Sequence, residues 1–352
     1  MKSKIVHIMH NDKFNSEYIN FINQNFNPND HLFIFIADAV GDLFPIPQLP
    51  NVIKLFCSRR HFYRYLLLAY YCIQADKIIL HGLFINYIIR FLYINRYLLK
   101  KCYWVIWGGD LYIDIYKQHI SDRQSQMSNY VKKHIFAYIT YTTGDFNLAK
   151  QQYASNPLHF KCLNYLSNLI KPKTYVISRN KKITKILVGN SATETNHHQE
   201  IFEKLLTLPL DNLQIICPLS YGNPQYREMV IALGKKYFQH KFFAITDLLP
   251  LNEYLNLLST IDIALFHHKR QQAMGNIMTL LSYGKKIYMT QNTLYDELIA
   301  HGFVIYNIQD KINLNLLTKA EIDKHTNIIE QSFQHNNLIL QLNELFNYEI
   351  PQ

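Results

Sequence analysis

Cysteine is scarce and unpatterned: five in 352 residues, at positions 57, 72, 102, 162 and 217, with no Cys-x-x-Cys pair. An odd, scattered set excludes a disulfide framework and a zinc ribbon, and it fits a reducing cytosol. Glycine and proline are also sparse, 11 of each, which removes collagen-like and linker-like classes. No uncharged apolar run reaches the roughly 18 residues of a membrane span. The first apolar run is short and interrupted by His7, below the roughly 7–15 residues of a secretory core, so no cleaved leader is expected. Gly-x-Gly-x-x-Gly, the P-loop and Asp-x-Asp are all missing, which weakens NAD and P-loop readings. No RNP, KH, zinc-finger or helix-turn-helix signature occurs, so nucleic acid is not expected as a partner.

Acidic residues are few in one half only. Residues 1–175 hold 20 Lys and Arg against 10 Asp and Glu, whereas the rest holds 16 of each. The whole excess of +10 therefore lies in the first half, an asymmetry that points to a polyanionic partner. Two acid-free, helix-length stretches concentrate it. Residues 59–71 carry Arg59, Arg60 and Arg64, and residues 84–101 carry Arg90, Arg96, Lys100 and Lys101. Both are rich in Tyr and Phe, matching interfacial helices on an anionic membrane surface. The plainer reading is a pair of core helices whose cations reach past apolar neighbours to water.

With 49% hydrophobic residues the chain can bury two cores. Short apolar runs at 5–9, 31–37, 52–56, 77–80, 104–106 and 137–142 alternate with helix-length segments such as 16–25. That rhythm predicts a doubly wound parallel sheet. A polar stretch at 169–182 reads as a linker. The rhythm restarts with strands at 185–188, 213–217, 242–245, 263–266 and 287–289, separated by helices. The expected architecture is α/β: two Rossmann-like domains facing a cleft, 1–175 and 176–352. A final helical segment, 328–346, is grouped with the second.

Ligands in such sheets bind beyond the carboxyl ends of the strands. In the second half three strands run into phosphate-friendly loops: Gly189-Asn190-Ser191, Tyr221-Gly222, and Arg270-Gln271-Gln272 followed by Gly275-Asn276. Glycine permits close backbone approach, helix N-termini offer N–H groups, and Arg pairs with phosphate. A nucleoside-diphosphate site is therefore plausible there. In the first half, His81-Gly82 and Trp107-Gly108-Gly109-Asp110 close two strands. His7 lies within a strand and reads as a packed core residue. His197-His198 and His267-His268 look like metal pairs, but neighbours on a strand point oppositely and no carboxylate or Cys partner is evident in the sequence. No metal or cofactor is expected.

His81-Gly82, Trp107-Gly108-Gly109-Asp110-Leu111-Tyr112, 186–191, and Arg270-Gln271-Gln272 with Gly275 together resemble the bacterial 4-acetamido-4,6-dideoxygalactose (Fuc4NAc) transferases of enterobacterial common antigen assembly, also called 4-alpha-L-fucosyltransferases. The resemblance runs in consistent order from about residue 5 to 289. It implies a GT-B glycosyltransferase without a metal, a dTDP-sugar donor and an undecaprenyl-diphosphate-linked saccharide acceptor. It also implies a peripheral position on the cytoplasmic face of the inner membrane. Family members usually show Gly-Ile-Gly-Thr where this chain has Ala273-Met274-Gly275-Asn276.

Glycosyl transfer requires charge to be stabilised on the leaving diphosphate. The three loops of the second half are the candidates for that task. An inverting transfer also needs a base for the acceptor hydroxyl. Asp110 is the first candidate, followed by Asp12 and His81, although Asp110 could equally cap the helix that follows it. Two other readings stay open: a GT-B enzyme with another nucleotide sugar and a lipooligosaccharide or capsule acceptor, and a non-catalytic membrane-associated nucleotide-binding protein.

Overall fold

Continuous runs of β-branched and aromatic residues such as Ile-Val-His-Ile-Met suit strands covered on both faces, and they form two all-parallel sheets. The computed structural model describes residues 4–37, 44–56, 62–116, 123–170 and 183–350. The chain divides into two compact units, Met1–Leu169 with His335–Gln352, and Ile170–Gln334. The expected linker lies mostly at 171–182, outside the described residues, as do Arg59 and Arg60.

The first unit contains β1 (Ile5–Met9), β2 (His31–Ala37), β3 (Val52–Phe56), β4 (Lys77–His81), β5 (Cys102–Val105), β6 (Ala137–Thr140) and β7 (Leu158–Lys161). Their order in the sheet is β3-β2-β1-β4-β5-β6-β7. The chain winds outward from β1 to β3, then returns to lay β4 against the other side of β1. That reversal makes the β1/β4 border the switch point, where a crevice opens beyond the strand ends. Leu68, Cys72, Ile88, Phe91 and Trp104 are among the residues that fill the core under the helices Phe62–Gln74 and Asn86–Ile94.

The second unit repeats the plan with β8 (Thr184–Val188), β9 (Leu213–Pro218), β10 (Phe242–Ile245), β11 (Ile263–Phe266), β12 (Lys286–Met289) and β13 (Tyr306–Asn307), ordered β10-β9-β8-β11-β12-β13. Its switch point is the β8/β11 border. Local chemistry sets the helix starts. Asn223 accepts the N–H groups of Gln225 and Tyr226 ahead of Pro224, and Thr318 with Glu321 forms a reciprocal cap.

The C-terminal helix departs from the sequence reading. Segment 328–346 is two helices, Lys319–Ser332 and His335–Asn347, and the second belongs to the first unit. Its apolar stripe (Leu338, Leu342, Leu345 and Phe346) is buried. The Phe346 ring packs at 4.8 Å on His31 and 5.0 Å on Phe26. Gln341 accepts the Leu163 N–H at 2.9 Å, and the Lys77 ammonium donates to the Phe346 carbonyl. Strand β6 ends at Thr140 rather than 142 because the Thr142 side chain caps the next helix, accepting the Asp145 N–H.

Truncation after Gln334 should therefore weaken the first unit, not the second. Hydrogen exchange should accelerate in β1, β2 and β7 while β8, β9 and β11 keep their protection. Faster exchange confined to the second unit would contradict this division.

Candidate functional site

In the second unit the loops after β8 and β11 are joined by one buried side chain, Asn196, and Asn190 extends the network to the loop after β9. Its carboxamide oxygen accepts the Asn190 N–H and a His268 ring nitrogen, each at 2.9 Å. Its nitrogen donates to Ser191 Oγ at 3.1 Å and Thr193 Oγ1 at 2.8 Å. Asn190 in turn donates to Tyr221 Oη at 3.0 Å and accepts from Gln272 at 3.1 Å. Thr195 donates to Gln272 at 2.9 Å. Asn292 donates to the carbonyls of His268 and Arg270 while capping its own helix, so it pins the loop that carries Arg270.

Backbone geometry reinforces this. Gly222, at φ +120°, bridges to Ala192, and a Cβ at this position would overlap the Ala192 carbonyl. Ala273 precedes the helix Met274–Ser282 with φ +60°, a left-handed conformation that suits glycine. Gly275 and Asn276 lie in the first turn of that helix, where Asn276 donates to Tyr254 Oη at 2.9 Å. Thus Asn190, Ser191, Tyr221, Gly222, Gln272 and the turn at Gly189 stand together at the strand ends of the second unit. Arg270, half-buried, donates to the Gln271 carbonyl at 3.3 Å. Asn196, His268 and Asn292 were missed. The paired His motifs differ from expectation, because the exposed Glu200 carboxylate meets both His197 at 2.9 Å and His267 at 2.7 Å. No group of three or more such residues among those described could hold a metal ion.

At the first unit's switch point Asp110 is 1% exposed. Its carboxylate accepts Trp104 Nε1–H at 2.7 Å and the Leu83 and Trp107 N–H groups, both at 3.0 Å. Burial pushes its pKa up, opposed by the Lys132 ammonium and these three donors. The side chain thus ties the loop after β4 to the end of β5.

His81 is also 1% exposed and sits inside a hydrogen-bonded chain. Trp107 Nε1 lies 2.9 Å from Tyr165 Oη, which lies 2.7 Å from His81 Nδ1. His81 Nε2 is 3.1 Å from His7 Nδ1, and His7 Nε2 is 3.0 Å from His31 Nδ1. An indole N–H can only donate. With Tyr165 then donating to His81, each neutral imidazole passes one proton donor along the row, toward His31. Burial pushes His81 down to about 3 and His31 to about 4, and lowers His7 strongly.

His10 follows β1 and is half-buried, with its ring 4.7 Å from Trp107 and 5.3 Å from Phe84. Burial lowers its pKa, while Asp12 and a hydrogen bond to the His81 backbone raise it. Asp12 is half-buried and accepts the Phe14 N–H at 3.3 Å. Asp12 is among the candidates the sequence suggests and His10 is not, although both follow β1 at the switch point. Arg64 stands on the helix Phe62–Gln74 and Arg90 on Asn86–Ile94. Arg96, Lys100 and Lys101 stand on the 3-10 turn Arg96–Lys101.

Two parallel-sheet α/β units with polar loops at each switch point are the architecture of GT-B glycosyltransferases, and similar solved structures bear this out. Sucrose-phosphate synthase from Thermosynechococcus elongatus is 10% identical at a TM-score of 0.67, with 98% of each chain covered. An Escherichia coli protein described as trehalose-6-phosphate, bound with UDP-2-fluoro glucose, is 9% identical at 0.66, over 99% of this chain and 100% of that one. WaaG, a glycosyltransferase involved in lipopolysaccharide biosynthesis, is 10% identical at 0.62, over 98% and 100%. The fold is GT-B and the protein is a glycosyltransferase. Residues 2–334 match the 4-alpha-L-fucosyltransferase family, glycosyl transferase group 56, and the chain belongs to it.

Two substitutions at the second unit's loops should act oppositely. Gly222→Ala meets both a backbone overlap and a forbidden φ, so it should cost about 2–4 kcal/mol. Ala273→Gly relieves a left-handed alanine and should add about 0.5–1 kcal/mol, net of glycine's greater unfolded-state freedom. Chemical denaturation of both variants checks the signs.

Acid should destabilise the fold. His81, His198 and His268 are held to about 3 and His31 and His325 to about 4, chiefly by burial, from an ordinary value of 6.5. Below about pH 6.5 the unfolded chain binds more protons than the folded one, so stability falls as pH drops from there toward about 4. Tm should be flat above about pH 7 and decline steeply below about 6; a flat acid limb would show that these rings are not buried in neutral form.

Proposed function

We propose that this glycosyltransferase moves a 4-acetamido-4,6-dideoxyhexose from a dTDP-sugar to an undecaprenyl-diphosphate-linked saccharide, in an enterobacterial common antigen-like pathway at the cytoplasmic face of the inner membrane. The observation that carries the donor part is the Asn196-centred network, which gathers three strand-end loops at the second unit's switch point. The donor and acceptor identities are supported by the family resemblance in His81-Gly82, the Trp107–Tyr112 motif and Arg270-Gln271-Gln272.

In this reading Arg270 and the N–H groups opening the helix at Met274 neutralise the leaving diphosphate as its bond to the sugar breaks. Gln272 and Asn190, already linked to each other, offer hydrogen bonds to the nucleoside or sugar. The acceptor hydroxyl loses its proton to His10, with Asp12 beside it, because this pair stands half-open at the end of β1. Asp110 and His81 hold geometry instead. The Asp110 carboxylate already accepts three donors, and both His81 ring nitrogens have partners.

Thermal stabilisation by dTDP, UDP and GDP, each with and without EDTA, tests the donor. A ligand at about 100 times its dissociation constant adds about 2.7 kcal/mol. The expected result is a dTDP-selective shift that EDTA leaves alone. A UDP or GDP preference would move the donor, and no shift with any of the three would refute the nucleotide assignment. His10→Ala and Asp12→Asn should lower kcat by about 100-fold or more with the dTDP shift intact. Asp110→Asn should mainly lower Tm. Full activity in His10→Ala would remove it as the base.

A further inference from the structure

The helix Phe62–Gln74 is apolar on two faces. One face, with Leu68 and Cys72 fully buried, packs into the core. On the other, Leu66, Tyr70 and Ile73 are 52%, 57% and 50% exposed, and their spacing places them on one stripe. The next helical segment runs alongside: Asn95 donates to Tyr65 Oη at 2.6 Å near one end, and Lys101 Nζ donates to the Ile73 carbonyl at 2.9 Å near the other. That segment adds Ile94 and Tyr97, 69% and 57% exposed. Large apolar side chains facing water on two neighbouring helical segments mark an interaction surface.

Its charge selects the occupant. Arg90, Arg96 and Lys100 are exposed, and Arg64 and Lys101 half-buried. Asp76 is the only acid between residues 62 and 101. The Arg96 guanidinium lies 4.5 Å above the Tyr93 ring and 4.6 Å above Tyr130, so aromatic faces hold its charge in place on an exposed residue. Apolar and aromatic side chains interleaved with cations match the boundary between acyl chains and anionic headgroups. A second copy of the chain would bring like charges together. No helix among the described residues is long and apolar enough to cross a membrane, so this contact lies along the surface.

We propose that the face built from Leu66, Tyr70, Ile73, Ile94 and Tyr97, rimmed by Arg90, Arg96 and Lys100, docks on an anionic phospholipid bilayer. This deepens the membrane location proposed above and is independent of the donor. Flotation of the full chain with vesicles of phosphatidylcholine alone, or with one third phosphatidylglycerol, tests it. Binding should occur to the anionic vesicles only. The variant R90Q/R96Q/K100Q should bind about 100-fold more weakly, given the attraction per cation near such a surface. L66S/Y70S/I73S should leave only a residual attraction that high salt abolishes. Tm and the dTDP-induced shift should be unchanged in both, which separates this surface from folding and from the donor site. Equal binding to neutral vesicles, no binding to either, or indifference to both variants would overturn the proposal. So would a dimer on size exclusion that the serine variant dissociates. Vesicle binding with no nucleotide response would instead refute the donor reading and leave this one standing.

Discussion

Each unit depends on a polar side chain buried where two loops must meet. In the second it is Asn196, whose carboxamide binds the backbone after β8 on one side and the His268 ring after β11 on the other. In the first it is Asp110, which gathers N–H groups from the ends of β4 and β5. An unpaired amide or carboxylate in such a place would cost several kcal/mol, so these residues stabilise only in the one arrangement that satisfies them. Loop positions at the two switch points are therefore set by hydrogen-bond completeness, while apolar burial fixes the sheets beneath.

The row from Trp107 through Tyr165, His81 and His7 to His31 follows the same logic over a longer path. Three imidazoles inside a parallel sheet are tolerable because His81 and His7 each give and receive within the row and His31 closes it as an acceptor. Trp107, whose indole starts it, also packs on His10. The rigidity of the interior is thus delivered to a ring that borders the proposed base.

Much of the fold was legible because buried parallel strands leave continuous apolar runs; β1, β2, β3, β10 and β11 stand where those runs lie. Loops 189–191, 221–222 and 270–276 were legible as small or polar residues directly after such runs. What escaped depends on contacts distant in sequence. Asn196 meets His268 across 72 positions, and nothing around it marks it as a hub. The helix His335–Asn347 showed its apolar stripe but not which unit would bury it. Asp110 was conspicuous, yet a sequence shows a carboxylate without showing that three donors already occupy it. Short elements such as β7 and β13 carry too few apolar residues to rise above their surroundings.

Ala273 bears on timing. A glycine at this position would let the segment after Gln272 wander among many backbone basins between encounters with ligand. Alanine visits far fewer, so the left-handed turn that opens the helix at Met274 is re-formed from a narrower search each time it frays. The left-handed conformation that alanine disfavours is the counterweight, so the turn is searched for less widely yet held less firmly than a glycine would hold it.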